Sequence, residues 1–125
     1  MNNIENPKWD LKKMRKGRGI WVALKDNLDE NGKQRFQPAI IIKVYPNHHL
    51  LVQIMTTISN KSDYFSIKIN NKIQYVRPIY ERTVDETEII NVWKDVNGKV
   101  IKLDKKSRFF RKVAMMKYQE ALKDD

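Results

Sequence analysis

Pro38-Ala39-Ile40-Ile41-Ile42-Lys43-Val44-Tyr45, then Pro46-Asn47-His48-His49, then Leu50-Leu51-Val52-Gln53-Ile54-Met55-Thr56-Thr57 is the stretch on which the reading of this 125-residue chain turns. The first run is almost continuously apolar and β-branched, the pattern of a strand buried on both faces. Pro, Asn and two His then supply a turn, and the second run repeats the strand chemistry. The two runs therefore pair antiparallel and form the centre of a sheet.

Working outward, residues 19–24 (Gly-Ile-Trp-Val-Ala-Leu) predict the preceding strand. Asp26 to Gly32 would be a long hairpin connection with a mobile tip, because Asn31-Gly32 favours positive φ, and Pro38 would open the next strand. Further upstream a polar lead around Trp9 to Arg15 ends at Gly17 and Gly19. Downstream, a polar loop over 59–63 precedes a half-buried strand over 64–70, in which Phe65, Ile67 and Ile69 alternate with Ser66 and Lys68. Asn70-Asn71 is a turn, and residues 73–79 form another strand, broken or bulged at Pro78. Residues 88–94 and 99–103 predict a hairpin about Val96-Asn97-Gly98. Asp104 is the expected N-cap of a helix over 105–123, with Phe109, Val113, Met115 or Met116, Ala121 and Leu122 at helical spacing. Strands come first and one helix closes the chain. That order excludes βαβ units and predicts a mainly β fold, a small SH3-like antiparallel barrel with a C-terminal helix packed on it. The organisation expected is a single domain: a polar lead over 1–16, the barrel over 17–103 and the terminal helix over 104–123.

Charge is the strongest global feature. Lys and Arg number 25 against 15 Asp and Glu, a formal +10 at pH 7. Such a surface attracts polyanions and gains from counterion release when it neutralises phosphates. About half of the cations fall in two segments, 8–18 and 99–112. There is no cysteine, which excludes disulfides, thiolate metal sites and a Cys nucleophile. No apolar run is long enough for a membrane helix and the N-terminus has no signal-peptide pattern, so a cytoplasmic protein that meets no membrane is expected. The glycines, at 17, 19, 32 and 98, form no phosphate-binding loop. His48 and His49 are adjacent in a turn and point apart, so neither a metal site nor a cofactor is expected.

Four segments together resemble the PemK/MazF-type toxins of toxin–antitoxin pairs: Gly19-Ile-Trp-Val; the charged loop before Pro38-Ala-Ile-Ile-Ile; the strand ending Thr56-Thr57 with Ser59-Asn-Lys-Ser-Asp-Tyr-Phe-Ser-Ile-Lys-Ile after it; and Tyr75-Val-Arg77-Pro-Ile-Tyr-Glu-Arg82. The resemblance covers roughly residues 17 to 122 and implies an SH3-like barrel, a homodimer, metal-independent cleavage of single-stranded RNA, and silencing by a cognate antitoxin. It assigns the catalytic hydroxyl to Thr56 or Thr57. It places the family's catalytic arginine immediately before the proline, where this chain has Gln37.

Glutamine can donate to a phosphate oxygen but carries no charge, which weakens transition-state stabilisation by several kcal/mol unless another group replaces it. Arg35, two residues earlier on the same side of a strand, is the expected substitute. The RNA contacts expected beside it are Arg18 and Lys25 flanking the first strand, Phe36 as a stacking platform, Gln37, and Arg77, which would meet a phosphate or pair with Glu81. Trp21 is read as core, and the tandem Met115-Met116 as helix core or a dimer contact. The function expected is a metal-independent endoribonuclease toxin. The alternatives are a nucleic-acid-binding module that has lost cleavage at Gln37, or a mobile-element accessory protein that binds DNA through its basic ends.

Overall fold

A computed structural model describes residues 14–123. Six strands and one helix follow in order: β1 (Gly19–Leu28), β2 (Gln34–Val44), β3 (Leu50–Thr56), β4 (Phe65–Ile69), β5 (Lys72–Val84), β6 (Ile89–Val92) and α1 (Arg108–Lys123). All strand pairs are antiparallel, in one sheet of order β4-β5-β3-β2-β1-β6. The fold is thus mainly β with a single C-terminal helix, and β2 and β3 are its centre. Most of the expected polar lead lies outside the described residues, but Met14 is buried with Ile20, Leu24 and Ile41.

The alternation within each strand sorts the core onto two faces. Ile20, Val22, Leu24, Ala39, Ile41, Val52 and Ile54 point to one side, where the sheet curls over them and brings Val84 and Ile89 across. Ile40, Met55, Val76 and Trp93 point to the other, under Phe109, Phe110, Val113 and Met116 of α1. Of the tandem methionines Met116 is the core residue, while Met115 is half exposed, as is Leu122 near the helix end.

The chain departs from the expected elements where side chains compete for the backbone. The first hairpin loop is short: β1 runs to Leu28 and β2 starts at Gln34, so Pro38 lies inside β2 rather than at its start, one residue beyond the last β2–β3 pair, Ala39↔Ile54. Its tip is a closed turn, because Asp29 Oδ1 accepts from the N–H groups of Asn31 and Lys33, and Gly32 takes φ +80°. The Asp95–Lys99 turn is built the same way from the same residue pattern, Asp-x-Asn-Gly-Lys. There Asp95 Oδ1 accepts from Asn97 and Lys99, and Gly98 takes φ +81°.

The expected second arm of that hairpin is not a strand. Two isolated bridges, Lys94↔Val100 and Arg18↔Lys102, carry it from the end of β6 to the segment before β1. Asp104 accepts from the Lys106 N–H and so closes a turn ahead of α1, which begins only at Arg108. Pro78 does mark a bulge: the β3–β5 register slips between Gln53↔Glu81 and Met55↔Val76, and fully buried Gln53 donates to the carbonyls of Ile54 and Arg77 at the slip.

Candidate functional site

The chain ends of the central strands build a cleft of about 260 Å³. Phe36, Gln37 and Pro38 come from β2, and Met55, Thr56 and Thr57 from the end of β3, where strand alternation stops and both threonines reach the same opening. Trp21 of β1 and Trp93 after β6 form the wall, ring centroids 6.0 Å apart at 61°. Trp93 can lie there because Gly19 has no side chain: a Cβ at that position would stand 2.9 Å from the indole. Ile69, Asn70, Lys72 and Gln74, from β4, the turn and β5, complete the lining.

The polar groups of this cleft are set for hydrogen bonding rather than for charge. Gln37 Oε1 accepts from Asn27 Nδ2 at 2.7 Å, which fixes the amide and leaves its two N–H donors for another partner. Thr56 Oγ1 accepts from the Ile58 N–H at 3.1 Å and keeps its own proton to donate. Gln74 is 3% exposed, and its Oε1 has no hydrogen-bond partner among the described residues. A buried amide oxygen without a partner is costly, about 1–3 kcal/mol, and a ligand N–H would relieve it. Among the described residues Lys72 is the one charged residue of the lining, which contains no imidazole and no carboxylate.

Arg35 lies elsewhere. It is exposed and lines a second cleft of about 180 Å³ with Leu24, Asp26, Asn27, Ile54, Tyr80 and Arg82. Gln37 lines both clefts, as the two-residue spacing from Arg35 requires, whereas Phe36 and Pro38 alternate onto the opposite face. The structure therefore brings Gln37, Phe36, Thr56 and Thr57 together and leaves the Arg35 guanidinium out of that group. Lys25 is exposed and stands 3.9 Å from Asp85. Arg18 joins neither cleft but a basic concavity with Lys102.

Arg77 is corrected: its partner is Asp63, not Glu81, and it is turned inward. The residue is 5% exposed, its Nε donates to Asp63 Oδ1 at 2.7 Å, and Nη1 donates to the Tyr80 hydroxyl at 3.1 Å. Nη2 donates to the Ile58 carbonyl. Asp63 also accepts from the Ser59 hydroxyl and the Asn60 N–H, so one ion pair ties the loop after Thr57 to the bulge of β5. Burial opposes ionisation of Asp63, but the hydrogen bonds from Arg77, Ser59 and Asn60 outweigh it and hold the carboxyl below the usual aspartate value. Arg77 thus positions the loop that carries Thr57 instead of offering a guanidinium to a ligand. Glu81 pairs with Lys117 of α1 at 3.3 Å.

Trp93, Lys72 and Gln74 were not among the residues expected to form a site. Gln74 had a signal: it holds the inward phase of β5, two residues before buried Val76, where an apolar side chain is the rule. Among the described residues no cluster of His, Cys, Asp or Glu could hold a metal ion, and no helix is long and apolar enough to cross a membrane. No family model matches the chain, and no curated protein matches it.

Proposed function

We propose that the protein binds single-stranded RNA, on an SH3-like β scaffold of the PemK/MazF kind, through the cleft between β2, β3 and the tryptophan wall. The observation that carries this reading is the lining itself. Flat aromatic groups, Phe36, Trp21 and Trp93, stand beside amide and hydroxyl groups, Gln37, Gln74, Thr56 and Thr57. Unstacked bases are held in this way, by stacking on aromatic rings and hydrogen bonding along their edges, and threonine hydroxyls suit a ribose 2′-OH. The formal +10 charge supplies the attraction to phosphates. Among the described residues the lining offers one lysine, no guanidinium and no general base, which supports binding without cleavage.

A second reading, the metal-independent endoribonuclease acting as a dimer under an antitoxin, is favoured by the meeting of Thr56, Thr57, Gln37 and Lys72 in one opening. Incubation with a long single-stranded RNA in EDTA separates the two. The binding module retains RNA intact, and Phe36→Ala weakens its affinity by roughly tenfold, as loss of one stacked base requires. Scission to 2′,3′-cyclic phosphate ends, abolished by Thr57→Val or Thr56→Val, would replace this reading with the nuclease. Equal affinity for single-stranded DNA would remove the ribose from the account.

A further inference from the structure

The two basic segments, distant in sequence, meet in space. Arg15, Lys16 and Arg18 face Lys102, Lys105 and Lys106 across an open concavity of about 590 Å³. Their juxtaposition is built into the backbone: Arg18 bridges Lys102, the Leu103 N–H donates to the Gly17 carbonyl at 2.7 Å, and the Gly17 N–H donates to Ile41 at 2.8 Å. Gly17 sits at φ +95°, and a Cβ there would stand 2.2 Å from the Leu103 carbonyl oxygen. No side chain at 17 would allow the two segments to run this close.

We propose that this concavity is a second, sequence-independent binding groove for the sugar–phosphate backbone of nucleic acid. Six cations of one sign repel one another, and among the described residues none of them has a carboxylate within ion-pair distance. The one acid in the lining, Asp104, is occupied by the Lys106 N–H. Lys16 lies 4.7 Å from the centre of the Phe110 ring, which ties the first segment to the start of α1. That first turn carries no acid, although acids are what the positive end of a helix dipole favours, and Arg108 adds a further cation. A row of phosphates relieves all of these repulsions at once and releases counterions.

The lining also selects among polyanions. Among the described residues Leu103 is the one apolar residue of the lining, so it offers few of the apolar anchors that an acidic protein partner uses, and the surface is concave, with Phe109 and Phe110 buried rather than offered to a lipid. The groove does not depend on the cleft and stands if the cleft binds nothing.

The test is the salt dependence of binding to a fluorescein-labelled 20-nucleotide oligouridylate, read by anisotropy between 50 and 200 mM salt. The triple variant K102Q/K105Q/K106Q lowers the slope of log K against log salt by about 2, since single strands give about 0.7 per neutralised phosphate. Its melting temperature stays at that of the parent protein. The variant K43Q/K61Q/K68Q, with the same net charge, keeps the parent slope, and Phe36→Ala weakens binding equally at every salt concentration without changing it. A parent slope in the K102Q/K105Q/K106Q protein, or an equal fall in both triple variants, overturns the groove. So does parent binding to polyglutamate or phosphatidylserine vesicles as tight as to the oligonucleotide. A slope lost in K102Q/K105Q/K106Q with Phe36→Ala indistinguishable from the parent supports the groove and removes the cleft reading instead.

Discussion

Gln37 is where two faces of the sheet share one side chain. Gln37 borders both clefts and its amide oxygen accepts from Asn27, so an uncharged, oriented donor occupies the place that an arginine holds in the family resembled by the sequence. Arg35 does stand on the same side of β2 as Gln37, as strand alternation dictates. The missing information was where the hydroxyls go, and that depends on the chain leaving regular β3 geometry at Thr56. The Arg77–Asp63 pair is a second decision taken by single residues. A carboxyl whose pKa is lowered by folding stabilises the fold above its unfolded value of about 3.9, and the contribution disappears as pH falls through the lower folded value. Thermal unfolding between pH 5 and pH 2 is therefore expected to show Asp63→Asn losing less stability on acidification than the parent protein; parallel curves would refute the role given to Asp63. Arg77→Ala, which removes the Asp63 partner and the inward guanidinium that also holds Tyr80 and Ile58, is expected to lower the denaturant midpoint at pH 7, whereas Arg82→Ala leaves it near the parent value.

At the level of elements, much was readable because local chemistry agrees with the global fold. The β-branched runs became the central strands, the period of Phe109, Val113 and Met116 became the buried helix face, and Pro78 became a bulge. What was not readable depends on partners far away in sequence. Residues 99–103 carry strand chemistry, but their neighbours are the 17–19 segment and the end of β6, which leave room for bridges and not for a ladder. Asp104 had the chemistry of a cap and is used in a turn. Each Asn-Gly pair marked a turn in the sequence, the shared Asp-x-Asn-Gly-Lys design emerges only with the structure, and each turn needs a left-handed residue at its glycine. Because a Cβ at Gly32 or Gly98 meets nothing within 4 Å, Gly32→Ala and Gly98→Ala are each expected to cost about 1 kcal/mol of purely conformational strain, measured by chemical denaturation. Unequal losses, or losses several times larger, would show that the two turns are not equivalent devices.

Across the whole molecule, charge and aromatic surface are separated. Arg35 and Arg82 border one cleft, the cations of 15–18 and 102–106 border a groove, and the tryptophan-walled cleft has one charged residue, Lys72, among the described residues. That division is what nucleic-acid binding needs, with phosphates held by cations and bases held by rings and amides. The net charge was legible in the composition, while the tryptophan-walled cleft was hidden, because it is assembled from five separate strands. The most direct measurement is a two-dimensional NMR titration of the nitrogen-15-labelled protein with a short single-stranded RNA in EDTA. The account predicts that the side-chain amide signals of Gln37 and Gln74 and the indole signals of Trp21 and Trp93 shift together and saturate at one RNA concentration. Saturating RNA that leaves those four residues unmoved while signals elsewhere respond would contradict it.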